Sequence, residues 1–236
     1  MGQSRTLKNC FGLRGTVYAL AVSTLLLLVG CGGGDGSGSS GGSPNGVRVL
    51  HAAIDAAPVD VRLEGRASPL SQGNRFGVAN YYQAAPSGAQ SLVLVRSASN
   101  DVVSVGQAAV APESKISVLV FDGAGGGLQS TVLYDQFPRT FQGALVRVVH
   151  GISGVTTVRV VATSGNGVSV VGSAPLGGAS EYLAVAPGLV TLNSMRGADS
   201  RQVNSAVVPV EEGRAYTVLL AGELGYYVKS VLYSDN

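Results

Sequence analysis

The sequence predicts an all-β fold, made of two tandem β-sandwich domains that follow a signal peptide and a disordered linker. Three observations support this fold class. Apolar residues either alternate with period two or form short runs rich in β-branched residues, as they do in strands. Clusters of Gly, Pro, Asn and Ser separate these runs, and no window keeps a helical period for long. Four sequence blocks recur in the same order about 100 residues later.

The first 30 residues have the composition of an export signal. Residues 1–14 are polar and positively charged, whereas residues 16–29 are almost wholly apolar. This apolar stretch is shorter than the ~20 residues that a helix needs to cross a bilayer. It therefore predicts a signal peptide over residues 1–30. The alternative is an uncleaved signal anchor that carries an incidental cysteine.

The end of the apolar stretch, Leu28-Val29-Gly30-Cys31, resembles the lipobox of bacterial lipoproteins. The resemblance implies cleavage between Gly30 and Cys31, attachment of diacylglycerol to the Cys31 thiol, and acylation of the new amino terminus. Neither a disulfide nor a cysteine metal site is expected in the mature chain, because the other cysteine, Cys10, lies in the predicted signal. We expect a lipid-anchored protein of the cell envelope. By the sorting habit of Gram-negative lipoproteins, Gly32 implies the outer membrane, on its periplasmic or surface face.

Residues 31–46 form the predicted lipidated cysteine and tether. Residues 32–46 contain eight glycines and four serines, and such a composition cannot bury enough apolar surface to fold. A flexible coil of this length has a typical reach of roughly 20 Å.

The charge balance argues against a nucleic-acid partner. The chain has 16 Lys and Arg against 14 Asp and Glu, and residues 31–236 hold 13 basic and 14 acidic side chains. Binding to nucleic acid requires a clustered basic surface, and the remaining basic residues are spaced singly. Those along apolar runs are predicted to lie on the solvated faces of strands; they are Arg48, Arg62, Arg96, Arg147 and Arg159.

The internal repeat predicts two homologous units, at residues 47–136 and 144–236, joined by residues 137–143. Each block of the first unit has a counterpart in the second: residues 47–52 (VRVLHA) match 146–151 (VRVVHG), Tyr81 with Pro86 matches Tyr182 with Pro187, residues 116–120 match 216–220, and residues 131–134 match 230–233. Each unit is long enough for one small core.

Within a unit the pattern indicates strands and tight turns. Residues 59–64 alternate apolar and charged side chains, as in a half-buried strand. Residues 91–95, 116–121 and 216–221 are continuous apolar runs, which indicates strands that are central or covered on both faces. The glycine-rich residues 122–127 precede another strand and not a helix, so they predict a hairpin connection and not a phosphate-binding loop. The pattern is typical of immunoglobulin-like or transthyretin-like sandwiches.

Residues 47–61 (VRVLHAAIDAAPVDV) resemble the opening signature of the bacterial domain-of-unknown-function family 4397, in which a strand with a histidine precedes an Asp-x-x-Pro turn and a second strand. Residues 182–188 and 215–222 are similar to the middle and closing strands of that family. The resemblance implies an exported, lipid-anchored envelope protein with no assigned activity. The second unit departs from the signature, since it has Gly154, Thr157 and Arg159 in place of Asp55, Pro58 and Asp60.

The two histidines, His51 and His150, occupy equivalent positions. His51 could pair with Asp55 or Asp60 in proton transfer or metal binding. The alternation places His51 on the inward face of its strand, the second unit lacks the carboxylates, and a zinc site needs three or four ligands. We therefore predict structural histidines that hydrogen-bond a turn, with no metal and no cofactor.

The pair Tyr81-Tyr82 could form a stacking platform for a sugar ring. Tyr81 has a counterpart in Tyr182, so we expect Tyr81 to pack in the core, which leaves Tyr82 as the candidate ligand contact.

The predicted function is a non-catalytic binding, adhesion or scaffold module, whose partners are the membrane, through its lipid, and an envelope glycan or protein. The alternatives are a carbohydrate-binding module and a hydrolase or metal-dependent enzyme centred on His51, Asp55 and Asp60.

Overall fold

The computed structural model describes residues 45–165 and 167–236, and these residues form strands, turns and loops, with no helix among them. The predicted signal peptide and most of the tether lie outside the described residues. We call residues 45–136 the first half and residues 144–236 the second half. The strands of the first half are β1 (Gly46–His51), β2 (Val59–Leu63), β3 (Ser71–Asn74), β4 (Gln83–Ala84), β5 (Gly88–Arg96), β6 (Val102–Val110), β7 (Lys115–Asp122) and β8 (Leu128–Tyr134). The strands of the second half are β9 (Ala144–Ser153), β10 (Thr157–Ser164), β11 (Gly167–Pro175), β12 (Leu183–Val185), β13 (Gly188–Arg196), β14 (Gln202–Val210), β15 (Ala215–Glu223) and β16 (Tyr227–Ser234).

Each half is a sandwich of two four-stranded sheets, and the two halves share one topology. The sheets have the orders β4-β1-β7-β8 and β3-β2-β5-β6 in the first half, and β12-β9-β15-β16 and β11-β10-β13-β14 in the second. The pairs β1–β7 and β9–β15 are parallel, whereas the other strand pairs within these sheets are antiparallel. The predicted all-β sandwich fold and the predicted hairpin at residues 122–127 are confirmed.

Three apolar clusters hold the sheets together. One cluster fills the first sandwich and includes Val49, Val61 and Val118, and a second fills the other sandwich and includes Val148 and Val218. The third cluster joins the halves. It contains Leu50, Ala52, Leu119 and Phe121 of the first half with Val149, Leu219, Ala221, Val231 and Tyr233 of the second. Residues 45–236 therefore belong to one compact unit, in which the sheets that contain β1 and β9 pack against each other.

The central strands of these inner sheets, β1, β7, β9 and β15, are buried on both faces, and this explains their continuous apolar runs. Along β1, Val47 and Val49 point into the first sandwich while Leu50 faces the second half. All the residues of β15 except the last are buried. The prediction that residues 91–95, 116–121 and 216–221 form strands that are central or covered on both faces is confirmed.

We predict that Gly151→Ala separates the inner sheets locally. A Cβ at Gly151 of β9 would lie 2.2 Å from the Cβ of Ala52 in the other half, closer than two carbons can approach. The expected loss in the free energy of unfolding is about 1–3 kcal/mol, as for other overpacked cores, measured by denaturant titration. Gly125→Ala is the matched control because a Cβ there meets nothing within 4 Å. Equal midpoints for the two variants would contradict the close packing.

Candidate functional site

The largest group of buried charges lies between the two halves. Arg48 of β1 and Arg147 of β9 are 1% and 2% exposed, and each reaches a carboxylate of the other half. The Arg48 guanidinium lies 2.6 Å from Asp235 Oδ1, and Arg147 pairs in the same way with Asp135. Both carboxylates are buried. The two ion pairs therefore cross the boundary in opposite directions, in keeping with the internal repeat.

Hydroxyl groups complete each side of this network. Ser117 Oγ accepts a hydrogen bond from Arg48 Nε (2.8 Å) and donates one to Asp135 (2.7 Å). The second half has Thr217 in the same role, between Arg147 Nε (2.8 Å) and Asp235 (2.8 Å). We refer to Arg48, Asp135, Arg147, Asp235, Ser117, Thr217 and the two tyrosines described next as the buried ion-pair network.

Tyr82 and Tyr182 lie over the guanidinium groups and donate to the carboxylates. The hydroxyl of Tyr82 donates to Asp135 and that of Tyr182 to Asp235, each at 2.6 Å. The Arg48 guanidinium carbon lies 4.5 Å from the Tyr82 ring centroid, a cation–π contact. Burial raises the pKa of both phenols far above the ordinary value, and the adjacent carboxylates raise it further. Both tyrosines therefore remain protonated hydrogen-bond donors.

Two sequence-based expectations are wrong at this network. Arg48 and Arg147 were expected on solvated strand faces, but the inner sheet of the other half covers those faces, so both side chains are buried. Tyr81 was expected in the core, but its side chain is 87% exposed. The counterpart of Tyr182 is Tyr82, since each donates to the carboxylate at the end of its own half.

The histidines are both fully buried. His150 Nε2 donates to the backbone oxygen of Val155 (2.9 Å), and its Nδ1 accepts from the amide of Ile152 (3.2 Å). These contacts hold the turn that follows β9, so the predicted structural role is confirmed for His150. His51 occupies the same place at the end of β1, but both of its ring nitrogens are buried without a hydrogen-bond partner among the described residues, so the predicted hydrogen bond to a turn is not found for His51.

The two carboxylates proposed as partners of His51 have other environments and other hydrogen-bond partners. Asp55 is exposed. Asp60 is buried and its Oδ1 accepts hydrogen bonds from the Gly73 amide (2.8 Å) and the Ser97 hydroxyl (2.5 Å). Within residues 45–165 and 167–236, no group of three or more His, Cys, Asp and Glu side chains has the geometry to hold a metal ion. Asp60 instead fixes the loop that carries β3.

An open groove lies at the edge of the first sandwich, between the edge strands β3 and β4. It encloses about 490 Å³ and is lined by residues 68–72, Asn74, Asn80, Tyr81 and Gln83. We call this the edge groove. Its floor is held by Asn74, whose Oδ1 accepts from Ser71 Oγ (2.8 Å) and Asn80 Nδ2 (3.0 Å) and whose amide donates to Val59 O (2.9 Å). The groove therefore has a fixed polar floor.

A second cavity, of about 510 Å³, lies beside the segment that links the halves. Its charged side chains bind one another or the backbone: Arg139 pairs with Glu113, and Lys115 Nζ donates to Asp235 O (2.6 Å). Phe137 packs against Phe141 and against Tyr182. This cavity therefore lies between segments of the chain whose side chains already contact one another.

The predicted lipidation and cleavage residues, Cys31 and Gly30, lie outside the described residues. In the part of the chain that the structure describes, no helix is long and apolar enough to cross a membrane.

The fold and the repeated network define a protein of two homologous β-sandwich halves. The chain belongs to the family described as Domain of unknown function (DUF4397), whose model matches residues 45–161 and 144–236. No curated protein matches the chain. Among solved structures, the chain is similar to CBMbc, a family CBM26 module of Eubacterium rectale Amy13K in complex with maltoheptaose. The identity is 12%, the alignment covers 80% of this chain and 96% of that chain, and the TM-score is 0.27.

We predict that Arg48→Met lowers the free energy of unfolding by about 3–5 kcal/mol, because it leaves the Asp235 carboxylate buried without its cation. In the double variant Arg48→Met/Asp235→Asn, part of this loss should be recovered, since no uncompensated charge remains. Denaturant titration of all four members of the cycle measures the coupling. The control is Arg214→Met, which removes an exposed pair with Glu211 and is expected to cost at most about 1 kcal/mol. Equal losses for Arg48→Met and the control would contradict the network.

We also predict that acid destabilises the fold through the histidines. Burial lowers the pKa of His51, and it lowers that of His150 to about 4. The unfolded chain therefore binds more protons than the folded chain below the ordinary histidine pKa of about 6.5. The stabilisation is complete above that pH and is lost as the pH falls through 6.5 to 4. For His150 alone the loss is on the order of 3 kcal/mol. Unfolding free energies of wild type and His150→Gln across this range test it, and parallel pH profiles would contradict it.

Proposed function

We propose that this protein is a non-catalytic binding module of the bacterial cell envelope, held to a membrane by lipid on Cys31. The observation that carries the proposal is the contrast between the interior and the edge of the body. The central buried charges bind one another across the two halves, whereas the edge groove is open to solvent. A protein with a fixed interior and an exposed groove is suited to presenting that groove to a partner, as in binding, adhesion or scaffolding.

The anchoring part of the proposal rests on the sequence. The segment Leu28-Val29-Gly30-Cys31 resembles a lipobox, and the Gly- and Ser-rich tether follows it directly. One acyl chain holds a protein to a bilayer only marginally, whereas two or more anchor it stably. The tether would place the first strand, which begins at Gly46, roughly 20 Å from the lipid on average. In a Gram-negative cell the proposed location is the outer membrane.

The enzyme alternative has less support. His51 is fully buried, so a substrate could not reach its ring without local opening, and Asp60 is engaged with Gly73 and Ser97. Geometry and access come before pKa in the assignment of a general base. We therefore propose that His51 and Asp60 are structural.

A second candidate function is carbohydrate binding, and one observation favours it. Tyr81, which precedes the half-buried Tyr82, is exposed at the rim of the edge groove, whose lining contains amides and hydroxyls and no charged side chain. Exposed tyrosines combine an apolar ring with a polar hydroxyl and suit ligands that present both kinds of surface.

We predict that Cys31→Ser abolishes membrane association. In a bacterium that expresses the full chain, wild type should lose residues 1–30, gain the mass of acyl chains and sediment with membranes. The variant lacks the thiol that accepts the first lipid, so it should be neither acylated nor retained. Intact-mass spectrometry and membrane fractionation measure both effects. Cys10→Ser is the matched control because it removes the other cysteine and should behave as wild type. Identical mass shifts and fractionation for Cys31→Ser and wild type would refute the anchor.

A further inference from the structure

Tyr81 and Tyr82 are adjacent in the chain but have opposite environments. The Tyr82 ring covers Arg48 and its hydroxyl is hydrogen-bonded to Asp135, whereas Tyr81 is 87% exposed beside the edge groove. The contacts of Tyr82 with Arg48 and Asp135 hold the backbone at this point, and they therefore also hold the Cα from which the Tyr81 side chain extends. A large exposed ring on a fixed backbone is a flat apolar platform next to a concave polar surface.

The chemistry of the groove defines the class of ligand. Gln72 and Gln83 are exposed, and each amide offers two donors and one acceptor oxygen. Adjacent hydroxyl groups of a sugar both donate and accept, so they match such amides. The lining residues include no Lys, Arg, Asp, Glu or His. An ionic ligand would lose hydration there without gaining an opposite charge, so the groove favours a neutral ligand.

The groove is formed before any ligand arrives. Asn74 is 2% exposed and connects three segments through its contacts with Val59, Ser71 and Asn80. The Asn80 amide also donates to Val49 O of β1 (3.4 Å), and Asp60 holds the backbone of Gly73. Binding at a preorganised surface loses less conformational entropy than binding that must order a loop.

The corresponding edge of the second half is built differently. Its edge strand β11 spans Gly167–Pro175, whereas β3 spans only Ser71–Asn74. The longer strand passes over the position that corresponds to Asn80, since a Cβ at Gly172 would lie 2.8 Å from the Cβ of Ser180. The residue that corresponds to Tyr81 is Glu181. The short β3 leaves the position of Asn80 without a strand that corresponds to the end of β11.

From these observations we infer that the edge groove binds a neutral oligosaccharide, with one sugar ring stacked on Tyr81 and its neighbours hydrogen-bonded by Gln72 and Gln83. This inference rests on the proposed carbohydrate-binding function and adds the ligand class, the contact residues and a single site per chain. The second half holds the first half in place and does not itself bind the sugar at the corresponding edge.

The experiment is calorimetric titration of protein purified from a bacterium that expresses the full chain. The probes are the neutral oligosaccharides cellohexaose, maltohexaose, xylohexaose and the hexamer of N-acetylglucosamine, with the hexamer of galacturonic acid as the acidic probe. We expect at least one neutral probe to bind with one site per chain. Tyr81→Ala should weaken that binding by about tenfold or more, and Tyr81→Phe should retain it because the ring remains. Gln72→Ala and Gln83→Ala should each weaken it about two- to tenfold.

The matched control is Tyr226→Ala, which removes another exposed tyrosine, 73% accessible, from the second half and should bind as wild type. Binding of neutral probes that Tyr81→Ala leaves unchanged would overturn the groove assignment, although carbohydrate binding would stand. Preference for the acidic probe would overturn the neutral class. No binding of any probe at millimolar concentration would overturn both the inference and the carbohydrate-binding function. It would not bear on the proposed lipid anchor, which the Cys31→Ser experiment tests separately.

Discussion

The two crossed ion pairs between the halves are the constraint on which the rest of the structure depends. Arg48 bonds to Asp235 and Arg147 to Asp135, so separating the halves would expose or isolate four buried charges. Burying a charge without its partner costs several kcal/mol. The pairs therefore specify one packing of the inner sheets, which the apolar cluster around Leu50 and Leu219 then fills. With both faces covered, the inner strands are apolar over most of their length, and the arginines are the charged exceptions.

The halves are alike where they meet and different at their outer edges. The network has the same residue types in both, with Ser117 and Thr217 as the single conservative exchange. At the edge, β3 is short and Tyr81 is exposed, whereas β11 is long and the corresponding residue is Glu181. Residues at the shared boundary must satisfy two halves at once, so a change there leaves a buried group unpaired. An edge strand has no such partner on its outer side, and this freedom allows the edge to differ between the two copies.

The repeat, the strands and the sandwich class could be predicted from the sequence, because period-two patterns and turn residues are local signals. The buried ion-pair network could not be predicted in this way. Alternation shows that Arg48 and Val49 lie on opposite faces of a strand, but it does not show that a second sheet covers the polar face. The sequence does contain one signal for the network. Asp135 and Asp235 each come shortly after a repeated apolar block, and they are 100 residues apart, as Tyr82 and Tyr182 are. Charges that recur at equivalent positions beside buried strands indicate a shared polar contact. Pairing Tyr81 with Tyr182, one residue out of register, produced the opposite assignment for the two tyrosines.

Under the proposed function, lipid anchoring and the edge groove complement each other physically. A shallow site with one stacking ring and a few amides gives weak binding to one ligand, because association also costs translational and rotational freedom. Many copies held on one membrane by the proposed lipid would meet a repeating polymer together, and linked weak sites gain strength through effective concentration without new contacts. The predicted tether, with a typical reach of roughly 20 Å, would let each copy orient its groove. Under the proposed function, the tether supplies reach and the ion-pair network supplies shape, so neither feature replaces the other.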